Sequence, residues 1–221
     1  MYLLAATTIT YMTNLVAGLR RPKYRWAEWL FLICLIILLG GNTQNADFFT
    51  YQWLYQAHIP YGEPGYRVLT RIGPMLGLDY RQFRLVLAAI FLVVLYIGVK
   101  KLTTHSAVFL AFYFCYPFFL DLIQLRNFMM MALLVYASHF LLEKTYRNLA
   151  LFTFFVLLGA SLQVLGVLYL LVIPLYYFDS WNLWKIGLLS IVFLASVIVM
   201  VPAFSQLLLE LLGQLHLSHL S

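Results

Sequence analysis

The chain has 221 residues, 64% hydrophobic and only 10% charged, with a mean hydropathy of +0.89. Soluble domains carry roughly 25% charged residues, so a soluble enzyme is excluded, and the lack of period-two alternation excludes a transmembrane β-barrel. The net charge of +6 does not imply nucleic acid, because the basic residues cluster at the ends of apolar runs. There they act as topology signals and headgroup contacts.

Several apolar runs approach the length that crosses a bilayer. They predict an all-α, polytopic transmembrane bundle of six or seven spans, forming a single integral membrane domain over residues 1–221. Span one covers about 2–19; it has no basic n-region and reads as a retained span, not a cleaved signal. It ends at Arg20, Arg21, Pro22, Lys23 and Arg25. Span two covers about 26–41, with Trp26 and Trp29 as interfacial anchors. A polar segment follows from 42 to 82. Span three covers about 83–99, before Lys100 and Lys101, and span four covers about 105–122 and contains Pro117. A polar link from Asp121 to Asn127 leads to span five, about 128–142, which ends at Glu143, Lys144 and Arg147. Residues 149–177 are too long for one upright span. Ser161-Leu162-Gln163, with Gly159 and Gly166 beside it, indicates two short helices and a tight turn, a single tilted helix being the alternative. A last span covers about 183–203, and residues 205–221 read as an amphipathic interfacial tail.

Basic residues orient the bundle. With the link between spans one and two in the cytoplasm, Arg20, Arg21, Lys23, Arg25, Lys100, Lys101, Lys144, Arg147 and Lys185 lie inside, nine of fourteen. That excess obeys the positive-inside rule. Arg67, Arg71, Arg81, Arg84 and Arg126 lie outside, without a lysine. Topology does not explain five arginines on that face, and a ligand for them is the expectation.

The stretch from Asn45 to Arg71, within the polar segment, holds four of the 22 charged residues, Asp47, Glu63, Arg67 and Arg71, beside a dense set of aromatic rings. Asp47, Tyr51 and Tyr55 are spaced to share one helical face. Glu63-Pro64-Gly65-Tyr66 reads as a helix start, because proline suits the first position and an acid before it meets the positive end of the dipole. Glu63, Arg67 and Arg71 repeat the same spacing, and Gly73-Pro74 is expected to stop the helix. Asp79, with Gln82 three residues on, reads as the N-cap of span three. Two short helices at the outer membrane surface, an interfacial or re-entrant segment, are therefore expected, with arginines facing a pocket shared with Arg126. Arginine forks suit phosphate, tyrosine and tryptophan faces suit sugar rings, and a carboxylate among them suits a general base for a hydroxyl.

Plainer readings stand beside these. Glu63–Arg67 reads equally as a surface ion pair worth about a few tenths of a kcal/mol, the aromatics as an interfacial belt, and Arg81 and Arg84 as headgroup ligands. His105, His139, His216 and His219 read as interfacial or packing residues, while His58 falls inside the polar segment. Met129-Met130-Met131 and the two cysteines, Cys34 and Cys115, read as apolar packing. There is no metal-ligand spacing and no disulfide framework.

The motifs Ala46-Asp47…Tyr51, Glu63-Pro64-Gly65-Tyr66 and Gln124-Leu125-Arg126-Asn127, the last opening a span, come in a specific order. Over about residues 25–178 the chain thereby resembles the EpsG family of exopolysaccharide and capsule proteins, grouped with Wzy-type polysaccharide polymerases. The resemblance implies a multi-pass protein of the bacterial plasma membrane. It implies a glycosyltransferase that joins undecaprenyl-diphosphate-linked oligosaccharide repeat units at the outer leaflet, without a nucleotide sugar. On it, Asp47 and Glu63 are the catalytic candidates. Arg126, Arg67 and Arg71 hold the diphosphate, and Gln124, Tyr51, Tyr66 and Gln163 complete the substrate site. No cofactor and no metal are expected, and no phosphate-binding glycine loop is present. Membrane lipids and other polysaccharide assembly proteins are the further partners. Family members often carry a histidine where this chain has Gln163, and glutamine cannot shuttle a proton at neutral pH. They are also usually longer, so a truncated inactive relative, or a non-catalytic partner of an assembly complex, is the alternative. A lipid-linked sugar transporter would favour ionisable groups near the midplane in repeated halves; here the charges sit at span ends and no repeat is evident.

Overall fold

The computed structural model describes residues 2–20, 25–44, 47–173 and Gly187. By packing, Met1–Leu170 form one compact unit and Leu171–Ser221 another; the helices below belong to the first. Among the described residues every regular element is helical.

Helices α1 (Tyr2–Arg20) and α2 (Arg25–Gly41) cover the residues where the first two spans are expected. The polar segment contains two short helices, α3 (Phe48–Gln56) and α4 (Pro64–Met75). The long α5 (Tyr80–Leu102) starts where Asp79 caps it: the Gln82 N–H donates to Asp79 Oδ1 at 2.8 Å, and the Asp79 N–H to Gln82 Oε1 at 3.0 Å. This reciprocal capping box satisfies two otherwise orphaned donors.

Two expectations are corrected here. Helix α4 does not stop at Gly73-Pro74 but runs to Met75. It closes through a Schellman motif: Gly77, at φ +72°, donates to Pro74 O at 2.9 Å, and the Leu78 N–H donates to Gly73 O at 3.1 Å. Glycine reaches that left-handed conformation without strain. Span four is not continuous either. It splits into α6 (Ser106–Cys115) and α7 (Pro117–Ile123), bent by 60° at Tyr116. Proline cannot donate to the preceding turn, so the ladder breaks before it.

Helix α8 (Leu125–Ser138) continues as a 3₁₀ turn to Leu142, and α9 (Tyr146–Leu162) ends at Gln163 in extended conformation before a second 3₁₀ stretch, Val164–Leu171. The interruption read at Ser161–Gln163 is therefore present. By length and apolarity Tyr80–Leu102 and Leu125–Leu142 can cross a membrane, with a third span if the bent pair counts as one. Trp26–Gly41 and Tyr146–Leu162 are apolar but shorter. The last span expected at about 183–203, apart from Gly187, and the tail at 205–221 lie outside the described residues.

Helix α5 is the central post, packed between α2 and α8, with α9 against α8. Its face toward the core carries Leu87, Ala88, Leu92, Leu95 and Val99, all buried, while Leu85, Val86, Ile90 and Ile97 face outward and are also apolar. A helix apolar on both faces suits lipid. In lipid, leucine burial gives little drive, so close backbone approach at small residues holds helices together. Gly40 of α2 lies against Leu85, and Gly98 of α5 lies against the backbone of Tyr136 in α8; an added Cβ at Gly98 would meet Tyr136 Cα at 2.7 Å. Gly98→Ala is therefore expected to destabilise the bundle by about 1–3 kcal/mol, read as a lower melting temperature of the detergent-purified protein. An unchanged melting temperature would show that α5 and α8 have slack.

At one end of the bundle Glu28, 6% exposed, accepts hydrogen bonds from Tyr96 Oη (2.5 Å) and Ser106 Oγ (2.8 Å). This buried carboxylate joins α2, α5 and α6, as a paired polar group inside a membrane protein must. The polar cleft described next gathers the opposite termini of α2 and α5.

Candidate functional site

The starts of α3, α4, α5 and α8 meet the ends of α7 and α9 around a cleft of ≈ 140 Å³. It is lined by Asp47, Tyr51, Tyr66, Tyr80, Arg84, Ile123, Gln124, Leu125, Arg126, Asn127 and Gln163. Small-molecule sites usually measure roughly 300–1,000 Å³, so this cleft takes one chemical group and its neighbours, not a whole oligosaccharide.

The Gly62-Glu63-Pro64-Gly65-Tyr66 stretch builds one wall, and each residue has a physical reason. Gly62 turns the chain at φ +78°, where an added Cβ would meet Arg126 Nη1 at 2.9 Å. Pro64 opens α4 from an extended Glu63. Gly65 lets α4 lie against α9, where a Cβ would meet the Ser161 carbonyl oxygen at 2.9 Å. Tyr66 is 2% exposed and packs edge-on to Tyr61.

Glu63 does not pair with Arg67. Its Oε2 accepts from Arg126 Nη1 at 2.6 Å, and its Oε1 accepts from the Val164 N–H at 3.4 Å. The pair is partly buried, with side chains 20% and 25% exposed. Arg126 also donates through Nη2 to Tyr51 Oη at 3.2 Å, and its guanidinium lies 5.6 and 5.7 Å from the ring centres of Tyr51 and Tyr66. Tyr51 stacks on Tyr61 with ring centres 5.2 Å apart. Burial pushes the hydroxyls of Tyr61 and Tyr66 above the ordinary tyrosine range, Tyr66 well above it. Both stay neutral, so they act as hydrogen-bonding walls and not as bases.

Asp47 stands at the start of α3, yet its side chain does not cap that helix, and among the described residues it forms no ion pair. The contrast with Asp79, whose carboxylate is spent on its own helix, leaves Asp47 as the free carboxylate of the cleft. Tyr55, expected on the same face, is turned into the core instead: it is buried, and its hydroxyl donates to Leu78 O at 3.0 Å. Burial pushes the Tyr55 hydroxyl up to about 12, aided by Asp79.

Of the residues singled out by sequence, Asp47, Tyr51, Tyr66, Gln124, Arg126 and Gln163 line the cleft, and Glu63 joins it through Arg126. Arg67 and Arg71 do not. Arg67 is exposed and donates through Nε to Gly62 O at 2.6 Å. Arg71 is exposed and borders a separate cavity of ≈ 40 Å³ with His58 and Thr70.

Sequence reasoning left Arg84 open between a ligand contact and a headgroup contact; the structure places it in the cleft, 1% exposed. The signal was available in its helical face: Tyr80, Phe83, Arg84, Leu87 and Ala88 follow the spacing of a buried stripe, and all are buried. A second supporting carboxylate also escaped notice. Asp121, 5% exposed, accepts from Tyr113 Oη at 2.8 Å and from the side chain of Asn127, a residue of the cleft. It fixes the Asn127 amide from behind. Among the described residues no three His, Cys, Asp or Glu side chains gather in a metal-binding group.

Chemically, the cleft offers one carboxylate without an ion-pair partner among the described residues, two guanidinium groups, and the amides of Gln124, Asn127 and Gln163, walled by tyrosine rings. That set can accept a proton from a hydroxyl and hold an oxyanion in the same small volume.

Residues 26–219 match the family model described as EpsG family. No curated protein and no solved structure matches the chain.

Proposed function

The chain belongs to the EpsG family, and from that premise we propose that this exopolysaccharide-related membrane protein polymerises repeat units carried on undecaprenyl diphosphate. The reaction takes place at the outer leaflet of the bacterial plasma membrane, with six or seven spans as scaffold and residues 42–82 facing outward.

One observation carries the reading: Asp47, a carboxylate that caps no helix and has no ion-pair partner among the described residues, shares a small cleft with two guanidinium groups, Arg84 and Arg126. Polymerisation needs both charges close together. An acceptor sugar hydroxyl attacks the anomeric carbon of the growing chain. The bond between that carbon and the diphosphate oxygen breaks, and the lipid diphosphate leaves with the electron pair. Asp47 takes the hydroxyl proton as the new glycosidic bond forms. The guanidinium groups stabilise charge developing on the leaving oxygen. Glu63 holds Arg126 in place at 2.6 Å and is a positioning group. The cleft's size fits the reacting junction, with the isoprenoid tail and the rest of the polymer outside it. Arg67 and Arg71, exposed on α4, are left to meet headgroups or the outer part of the donor.

The test is complementation. Cells that have lost their own copy accumulate single repeat units; expression of this chain, with membrane insertion checked, is expected to restore long surface polymer. Single repeat units alone, from a chain correctly inserted, would favour a non-catalytic role in the assembly complex.

A further inference from the structure

Arg84 is a buried charge lining this cleft. Among the described residues it has no ion-pair partner, and its Nε, fully buried, has no hydrogen-bond partner. Its contacts are with neutral groups: Nη2 donates to Leu39 O at a long 3.4 Å, the guanidinium donates to the Tyr80 hydroxyl, and it lies 5.5 and 6.0 Å from the ring centres of Phe48 and Tyr80. Removing a guanidinium from water costs several kcal/mol even after relaxation, and arginine does not escape by losing its proton. Arg126, in contrast, already has Glu63.

Two further observations converge on the same volume. Helix α8, fourteen residues long, begins at the cleft without a side-chain cap, so the positive end of its dipole adds to Arg84. Gln163 also lines the cleft, and its Oε1 is buried without a donor. A ligand completing all three brings an oxyanion for Arg84 and the α8 terminus, and beside it a hydroxyl that donates to Gln163.

We propose that Arg84, with the α8 N-terminus, is the anion anchor of this cleft, and that Gln163 selects ligands carrying a hydroxyl next to the phosphate. The ligand class is a phosphate or diphosphate ester of a polyol. It arises either from a lipid-linked sugar or from a glycerol phospholipid headgroup. This deepens the polymerase reading and rests on it for the identity of the sugar-bearing source. Asp47 is the carboxylate of the same cleft.

Binding is measured without turnover, so loss of the inference and loss of the polymerase reading give different results. The purified full chain in neutral phosphatidylcholine nanodiscs is titrated with undecaprenyl diphosphate, with undecaprenyl-diphosphate-linked sugar, with phosphatidylglycerol and with uncharged undecaprenol. The expected result is that at least one phosphate probe binds, that Arg84→Gln weakens it at least about tenfold, and that undecaprenol binding is unchanged. Preference for the linked sugar assigns the site to donor substrate, and preference for phosphatidylglycerol assigns it to headgroups. Gln163→Leu is expected to weaken the hydroxyl-bearing probes about three- to tenfold while leaving undecaprenyl diphosphate alone. If Arg84→Gln does not fold, the parent decides: phosphate probes must raise its melting temperature, and Gln163→Leu must reduce that rise for hydroxyl-bearing probes only. Equal binding of phosphate probes by parent and Arg84→Gln, or no phosphate binding by the folded parent, overturns the proposal whether or not the chain polymerises sugar.

Discussion

Asp47→Asn is expected to abolish polymer formation while leaving the folded protein intact. The substitution keeps size and shape but removes the acceptor for the hydroxyl proton, which in general acid–base catalysis is worth about 10²–10⁴ in rate. Stability is spared because the Asp47 side chain caps nothing and has no ion-pair partner among the described residues. Asp79→Asn is the matched control. It weakens a side-chain cap with N–H to Oδ1 at 2.8 Å, costing at most about 1 kcal/mol of stability, and leaves polymer length unchanged. Polymer ladders from membranes matched for protein content read both. Long polymer from Asp47→Asn at the parent's level would remove Asp47 from the chemistry.

The second large effect lies in the geometry around Arg126. Arg126→Lys keeps the charge but loses the fork that reaches Glu63 at 2.6 Å and Tyr51 at 3.2 Å. It also loses the planar contact with the rings of Tyr51 and Tyr66. Lysine is therefore expected to fail nearly as badly as alanine, with polymer reduced at least about tenfold. Glu63→Gln leaves the guanidinium partly buried without its counter-charge and loosens the junction with Val164. Its cost is expected at about 1–3 kcal/mol, below that of a fully buried pair because both groups keep some solvent. The coupling is measured by combining Glu63→Gln with Arg126→Gln: the double variant should lose less stability than the two single losses added together. Full additivity would mean that the 2.6 Å pair contributes no coupling.

What was legible in the sequence is what short-range chemistry decides. Pro64 opens α4, Asp79 and Gln82 cap α5, and the break at Gln163 falls where polar residues and glycines interrupt an apolar run. The two short helices of the polar segment follow from the same local signals. Pairings across the chain were less legible. Glu63 has a ready partner four residues on in Arg67, but the structure joins it to Arg126, 63 positions away. Helix spacing cannot weigh that alternative. Arg81 and Arg84 look alike at the start of a span, yet three residues turn one outward and the other into the cleft. The stripe spacing of Tyr80, Phe83, Arg84, Leu87 and Ala88 carries that difference, and the packing of α2 and α3 against α5 realises it. At Gly73 the sequence suggested a helix stop, whereas the absent side chain makes room for Tyr55 and Phe83 to pack against the backbone.

The most direct measurement is reconstitution. The purified chain is placed in liposomes with undecaprenyl-diphosphate-linked repeat units, and the products are resolved by size. A ladder of polymer from the parent and none from Asp47→Asn is the expected result. A folded parent that yields no ladder, or an Asp47→Asn variant that yields the parent's ladder, would contradict the assignment of this cleft as a polymerase site.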